Sequence, residues 1–305
     1  MPTFTAIRDD RSFDDAHGVT VHYYVWAPKV PKAVLHLVHG LGEYATRYET
    51  LAQELVNAGF AVYASDLRGH GRTGLGQWDR DTSKLGRLGP GGLRATIEDV
   101  RQLTGIIRAE HADLPIVLLG HSLGSLIAQK ILNTDARLYA AAVLTGTAYR
   151  MPGSMNGGDL NAKHKSLGDT GYEWLSRDAA ISKAFLDDEL TFTANVLRLF
   201  GLRDGLRLYG RPAKRLQDIP VLIMIGGDDT LGGEKSVHRL ADAYTRRSGI
   251  SDIEVVVYTD ARHEVFNELN QDDVRADLLT WLRARIPELT ARARATKNKD
   301  DVPSD

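Results

Sequence analysis

The sequence predicts an α/β fold, a mostly parallel sheet with helices on both faces, and three observations predict it. Short apolar runs end in Gly or Asp, stretches with apolar residues every third or fourth position fill the intervals, and the two alternate along most of the 305 residues. Val19 to Trp26 alternates polar and apolar residues as a half-buried strand does. Ala33 to Val38, Ala61 to Ser65 and Ile116 to Leu119 are continuous apolar runs, the kind buried on both faces of a parallel sheet. Tyr48 to Ala58, stopped by Gly59, and Leu93 to Glu110 carry helical spacing. Runs at Ala140 to Leu144, Val221 to Ile225 and Ile253 to Tyr258 continue the sheet, and amphipathic helices at Glu234 to Arg247 and Asp273 to Arg285 follow the last two.

Tyr149 to Pro212 breaks this rhythm. It opens Gly/Met/Asn-rich and turns helical without a convincing strand, so it reads as an inserted, mainly helical cap. The predicted division is core over 1–148, cap over 149–212, core again over 213–290, and a disordered tail over 291–305, where apolar periodicity is lost. Hydrophobic residues at 43% and charged residues at 26% describe a globular chain with a sizeable core. The net charge of -2 offers no basic field for nucleic acid, which is not an expected partner. With no cysteine there are no disulfides, thiol nucleophiles or thiolate metal sites. The N-terminus is polar and acidic and no apolar stretch is long enough to span a bilayer, so a cytoplasmic location without a transmembrane segment is expected. Oligomeric state is not legible.

The sharpest motif is Gly120-His121-Ser122-Leu123-Gly124, a G-x-S-x-G directly after the apolar run PIVLLG and before a helix-forming run. Such a turn exposes a serine hydroxyl at the carboxyl end of a sheet, and its flanking glycines avoid collisions. A serine needs a base to take its proton and a carboxylate to orient that base, in the order Ser, acid, His. Beyond the cap only His238 and His263 compete. His238 falls inside a helical pattern, whereas His263 follows a strand in a loop, where catalytic groups gather. The acid belongs in the loop after Val221 to Ile225, where Asp228 and Asp229 stand side by side; Asp229 is preferred, although the physics of the loop does not separate them. An oxyanion needs two backbone N–H donors, one from Leu123 and one from the glycine loop His39 to Gly42, through Leu41. His39 reads as structural. A metal reading of His36 and His39 fails for want of a helical His pair or cysteine cluster, so neither metal nor organic cofactor is expected. Asp66 to Arg72 lacks the spacing and lysine of a phosphate loop and reads as a tight turn, with Asp66 and Arg68 fixing its neighbours.

HGLGEYATRY at His39 to Tyr48, DLRGHG at Asp66 to Gly71, GHSLG at Gly120 to Gly124, GGDDTL at Gly226 to Leu231 and RHEVFNE at Arg262 to Glu268 together resemble one family. It is the monoacylglycerol lipase and lysophospholipase-like branch of the α/β-hydrolases, also grouped with the serine aminopeptidases. The resemblance runs from about Val19 to Arg285. It implies the α/β-hydrolase fold, a triad of Ser122, Asp229 and His263 with Asp229 rather than Asp228 as acid, and oxyanion donors at Leu41 and Leu123. Tyr44 departs from it, since the family usually has histidine there. The cap carries Met151, Met155, Trp174, Phe185, Leu190, Phe192, Val196, Leu197, Leu199, Phe200 and Leu202, apolar surface enough to line an acyl-chain tunnel. The expected partner is a small hydrophobic ester, and the resemblance adds a glycerol monoester, with transient lipid-surface contact through the cap. The alternatives are another monoester such as a monoalkyl phthalate, an amide or peptide, and a non-catalytic binding protein of the same fold.

Overall fold

Eight strands form one sheet in the order β1-β2-β4-β3-β5-β6-β7-β8, in a computed structural model that describes residues 6–287. The strands are β1 (Asp9–Asp14), β2 (Thr20–Trp26), β3 (Ala33–Val38), β4 (Phe60–Ser65), β5 (Ile116–His121), β6 (Ala141–Thr145), β7 (Val221–Gly226) and β8 (Ile253–Tyr258). β1 pairs antiparallel with β2, and β2 antiparallel with β4; every pairing from β4 across to β8 is parallel.

The continuous apolar runs have a direct explanation. In β3, Val34 and Val38 join one hydrophobic cluster while Leu35 and Leu37 join another, and in β5 Ile116 and Leu118 separate from Val117 and Leu119 in the same way. Side chains alternate across a strand, so a strand covered on both faces is apolar at nearly every position, and the exceptions in β3 and β5, His36 and His121, bond to Thr104 and Thr145 at 3.0 Å each. One face is covered by α3 (Gly92–Glu110), α4 (Leu123–Asp135) and α7 (Gly233–Ala243), the other by α1 (Glu49–Asn57) and α8 (Gln271–Arg285). Each fully buried Leu, Ile or Phe contributes roughly 1.5–3 kcal/mol, so these two layers supply most of the folding free energy.

The helices α5 (Ala179–Asp187) and α6 (Val196–Arg207) lie in the excursion between β6 and β7. Asp178 caps α5 by accepting the Ala180 N–H, and Asn195 caps α6 through the Arg198 N–H. α6 is broken at Gly201, whose φ of 74° only glycine adopts without strain. Among the described residues this excursion contains no strand.

Three elements differ from the sequence expectation. β1 has no apolar run, because it is an edge strand whose side chains stay largely exposed. The expected tight turn after Asp66 continues into a short helix, α2 (Gly71–Gln77). Three glycines in its seven residues hid it, since glycine is a poor helix former. The helix expected to reach Arg247 leaves α-geometry after Ala243 and ends in a π-turn, Tyr244–Ser248, closed by Gly249 at φ 81°. The tail expected to be disordered, 291–305, lies outside the described residues. Among those residues no helix is long and apolar enough to cross a membrane.

Candidate active site

β5 ends at His121 and α4 begins at Leu123, so Ser122 stands alone at the turn between them. Its φ of 50° and ψ of -119° form a pair that residues with a Cβ rarely adopt, a strain that persists only where the surroundings over-determine it. They do: Ser122 N–H donates to Thr145 O at 3.0 Å, and Ser122 O accepts from Ser125 N and Ser125 Oγ at 2.9 and 2.6 Å. The turn also needs bare backbone on both sides. A Cβ on Gly120 would run into the Gly124 carbonyl, and one on Gly124 into the Val38 carbonyl.

Asp229 follows β7 and His263 follows β8, both buried. His263 Nδ1 donates to Asp229 Oδ2 at 3.0 Å, and Asp229 Oδ1 accepts the Leu231 N–H at 2.8 Å. Asp228 turns outward to pair with Lys163, so the two adjacent aspartates have distinct surroundings. The His263 ring lies 4.6 Å from that of Trp174 and 4.8 Å from that of His121, the neighbour of Ser122. Gly146 separates the two imidazoles, where a Cβ would come within 2.8 Å of one and 2.9 Å of the other. His263 Nε2 is buried and has no hydrogen-bond partner among the described residues, so no bond joins it to the Ser122 hydroxyl here. His238, the rejected competitor, sits more than half exposed on α7, near Glu234.

Burial is the largest influence on His263 and opposes its imidazolium. The Asp229 carboxylate, aided by Glu264 and Glu43, outweighs it and holds the ring above its ordinary value near 6.5. A base must be neutral to accept a proton, so hydrolysis by a His263 base is expected to rise with pH through a midpoint above 6.5. Asp229→Asn should move that midpoint downward. A kcat/KM profile from pH 5 to 9 tests both, and a midpoint unmoved by Asp229→Asn would remove His263 as the titrating base. The same raised value means that the ion pair's contribution to stability is complete below about pH 6.5 and fades as pH rises through the folded-state pKa.

The glycine loop after β3 lies directly against Ser122, since a Cβ on Gly40 would approach the serine Cβ to 2.9 Å. Neither Leu41 nor Leu123 has its N–H in a backbone hydrogen bond among the described residues. His39 is structural: Nδ1 donates to Gly40 O at 2.7 Å while Nε2 accepts the Leu67 N–H at 2.9 Å. Asp66 and Arg68 fix their neighbours as expected. Asp66 accepts from Ala45 N, Arg72 N and Tyr24 Oη, and Arg68 pairs with Asp99 and Asp15.

Sequence reasoning missed the support of this loop. Glu43, buried, accepts from Gly40 N at 2.5 Å, Tyr48 Oη at 2.8 Å and Arg47 Nη1 at 2.9 Å. Arg47 also forks onto both oxygens of buried Glu264, the residue after His263, at 2.9 and 3.1 Å. One guanidinium therefore ties the glycine loop to the histidine loop. It compensates one carboxylate: burial disfavours the charged form of Glu264, yet the Arg47 fork holds it below the usual range, while burial pushes Glu43 up. The available signal was two charged residues, Glu43 and Arg47, in an otherwise buried glycine loop, with Glu264 beside the histidine.

Tyr44 donates to Asp188 Oδ2 at 2.6 Å, and Phe192 N–H donates to Gly42 O at 3.1 Å, joining the same loop to the excursion. Beside Leu41 opens a pocket of about 490 Å³, walled by Trp174, Phe185, Phe192 and Leu197 with Asn161, Thr193 and Asn195 among its polar groups. Of the apolar residues expected to line a tunnel, those four line this pocket. Met155, Val196 and Phe200 pack on the main core, and Leu202 is exposed. Among the described residues no cluster of His, Asp and Glu could hold a metal ion.

Residues 29–270 match the family model described as serine aminopeptidase, S33. A monoacylglycerol lipase of Mycolicibacterium smegmatis is 32% identical over 92% of this chain and 99% of its own length. The monoglyceride lipase of Mus musculus is 26% identical over 89% of each chain. Among solved structures, a thermostable carboxyl esterase from Bacillus coagulans superposes with a TM-score of 0.78 at 23% identity, covering 92% of this chain and 100% of its own. A soluble variant of the Saccharomyces cerevisiae monoglyceride lipase superposes with a TM-score of 0.74 at 18% identity, covering 93% and 97%. With the eight-stranded sheet and the strained serine turn already described, these likenesses identify the chain as a member of the serine aminopeptidase S33 family of α/β-hydrolases, in its monoacylglycerol-lipase-like branch.

Proposed function

We propose that the chain is a serine carboxylic-ester hydrolase that works through an acyl-enzyme, with Ser122 as nucleophile, His263 as base, Asp229 as acid and the Leu41 and Leu123 N–H groups as oxyanion donors. The observation that carries this reading is the condition of His263: one ring nitrogen held by a buried carboxylate at 3.0 Å, the other buried and unpartnered, and the ring 4.8 Å from that of His121, the neighbour of the strained serine. An imidazole so held is fixed in the tautomer that can accept a proton at Nε2. Ser122 Oγ attacks the ester carbonyl as His263 takes its proton. The carbonyl oxygen becomes an oxyanion facing the two amides, and the alcohol leaves with the proton from His263. Water then repeats the sequence on the acyl-enzyme, releasing the acid and regenerating the serine.

Monoacylglycerols or similar hydrophobic monoesters are the substrates we favour. The pocket beside Leu41 has the size and apolar walls of a ligand site, and its asparagine and threonine groups suit a polyol better than a bare alkyl alcohol. The M. smegmatis and mouse relatives carry matching names. Residues 149–212 serve, in this reading, as a cap over a core formed by 1–148 and 213–290. The leucines exposed on α5 and α6, Leu186, Leu197, Leu202 and Leu206, suit brief contact with a lipid surface.

The test is a graded panel of short and long p-nitrophenyl esters, monoacylglycerols, diacylglycerols, monoalkyl phthalates and an aminoacyl amide, together with labelling by a serine-directed phosphonate. Preferential cleavage of monoacylglycerols with phosphonate attached at Ser122 is the expected result. Preference for phthalates or the amide would keep the mechanism and overturn the substrate class, and a protein that neither turns over nor labels would be a binding protein.

A further inference from the structure

A hollow of about 1060 Å³ lies between α3, α4 and α6, and Ser122 is not part of its lining. Its wall carries five basic side chains, Arg94, Arg101, Lys130, Arg203 and Arg207, against the carboxylates of Glu98 and Asp204. Both carboxylates are already engaged. Asp204 pairs with Arg207 and accepts the Leu93 N–H at 3.1 Å, so the N-terminus of α3 is occupied by the protein itself. Glu98 pairs with Arg101 at 2.5 Å, and Arg101 also takes Asp135 at 2.7 Å. Among the described residues Arg94, Lys130 and Arg203 enter no ion pair, although all three line one groove.

Behind the groove the excess of positive charge continues. Arg150 is fully buried, and its guanidinium donates to neutral oxygens, Gln129 Oε1 at 3.0 Å and Leu208 O at 2.9 Å. Lys130, half-buried on α4, is lowered to about 8 by burial first and then by Arg150 and Arg207. Like charges gathered in a partly desolvated place repel, and an arriving anion relieves that repulsion as well as forming its own bonds. Three cations that enter no ion pair among the described residues therefore line one groove of a chain whose net charge is only -2.

We propose that this groove binds a multiply charged phosphoryl oxyanion, held jointly by Arg94 and Lys130 on the core helices and Arg203 on α6. Two arginines suit forked contacts to phosphoryl oxygens, and the lysine of the same groove supplies a point charge. The bound anion bridges the core to α6. Lys130 lies seven residues beyond Leu123 on α4, a rise of roughly 10 Å from the serine turn. Occupancy therefore fastens α6 to the helix that carries the proposed nucleophile, and it does so independently of what Ser122 does. The phosphoryl group can belong to a soluble diphosphate or to the headgroup of an anionic lipid.

The test uses the full chain at constant ionic strength, with inorganic pyrophosphate followed by calorimetry and by thermal unfolding. Wild type is expected to bind it saturably and to melt higher. Arg94→Gln/Arg203→Gln, both on exposed positions and so compatible with folding, is expected to weaken binding by about 10-fold or more, Lys130→Gln likewise, and Arg246→Gln on the π-turn not at all. Flotation with phosphatidic acid vesicles, against phosphatidylcholine vesicles, separates the sources: capture lost in the double variant identifies a lipid headgroup, and pyrophosphate binding without capture identifies a soluble ligand. Binding that matches sodium chloride at equal ionic strength, or that survives unchanged in both variants, overturns the site.

Discussion

Ser122→Ala is expected to lose ester hydrolysis by a factor on the order of 10⁶ while unfolding within about 0.5 kcal/mol of the parent. The two halves of this expectation come from different parts of the structure. The Ser122 hydroxyl makes no hydrogen bond among the described residues, and the contacts that hold the strained turn use its backbone N–H and carbonyl. Alanine keeps those contacts and the same Cβ, so the fold does not register the change. The chemistry does, because no other oxygen replaces the attacking one. Asp229→Asn should cost roughly 10⁴ in kcat by presenting His263 in the wrong tautomer. Steady-state kinetics and urea unfolding on the same preparations check both quantities. A Ser122→Ala protein that kept ester hydrolysis within about tenfold of wild type would move the nucleophile elsewhere.

Arg47→Met is expected to destabilise the protein by about 3–5 kcal/mol, the cost of leaving buried carboxylates without their counter-charge. Glu43 and Glu264 stay buried, and among the described residues no other arginine or lysine pairs with either. Part of the loss should be recoverable. Adding Glu264→Gln to Arg47→Met removes the charge that needed compensation and should restore roughly half of the deficit, whereas Glu264→Gln alone should be destabilising. Because Arg47 holds Glu264 below its ordinary value near 4.5, that part of wild-type stability is complete above about pH 4.5 and is lost as pH falls further. In the Arg47→Met variant this acid sensitivity should largely vanish. Urea midpoints of the single and double variants from pH 3 to 7 measure all of this. A loss below about 1 kcal/mol would mean that water already reaches the carboxylates.

The sheet was legible because it is covered on both faces. Ala33 to Val38 matches β3 to the residue, since every position of that strand is buried, and Ile253 to Tyr258 matches β8 through its valine run although that edge strand is only half-buried and carries Glu254. β1 was illegible for the opposite reason: its pairing to β2 is made by backbone, and its side chains, DDRSFD, face water. The proposed triad could be read because each member sits in a loop after a strand. Asp228 and Asp229 could not be separated from sequence physics alone, because what distinguishes them is a lysine 65 residues away in the chain that draws Asp228 outward. Distance along the chain hid the Glu43–Arg47–Glu264 network in the same way, with Arg47 and Glu264 217 residues apart. The basic groove was hidden by balance. A net charge near zero says nothing about where the charges gather.

The hydrogen bonds from Tyr44 to Asp188 and from Phe192 to Gly42 make the glycine loop and the overlying excursion a single mechanical part. Lifting the excursion to admit a substrate must either break those bonds or drag Leu41 away from Ser122. Any displacement of the excursion at Asp188 or Phe192 is therefore transmitted to the loop that lies against Ser122.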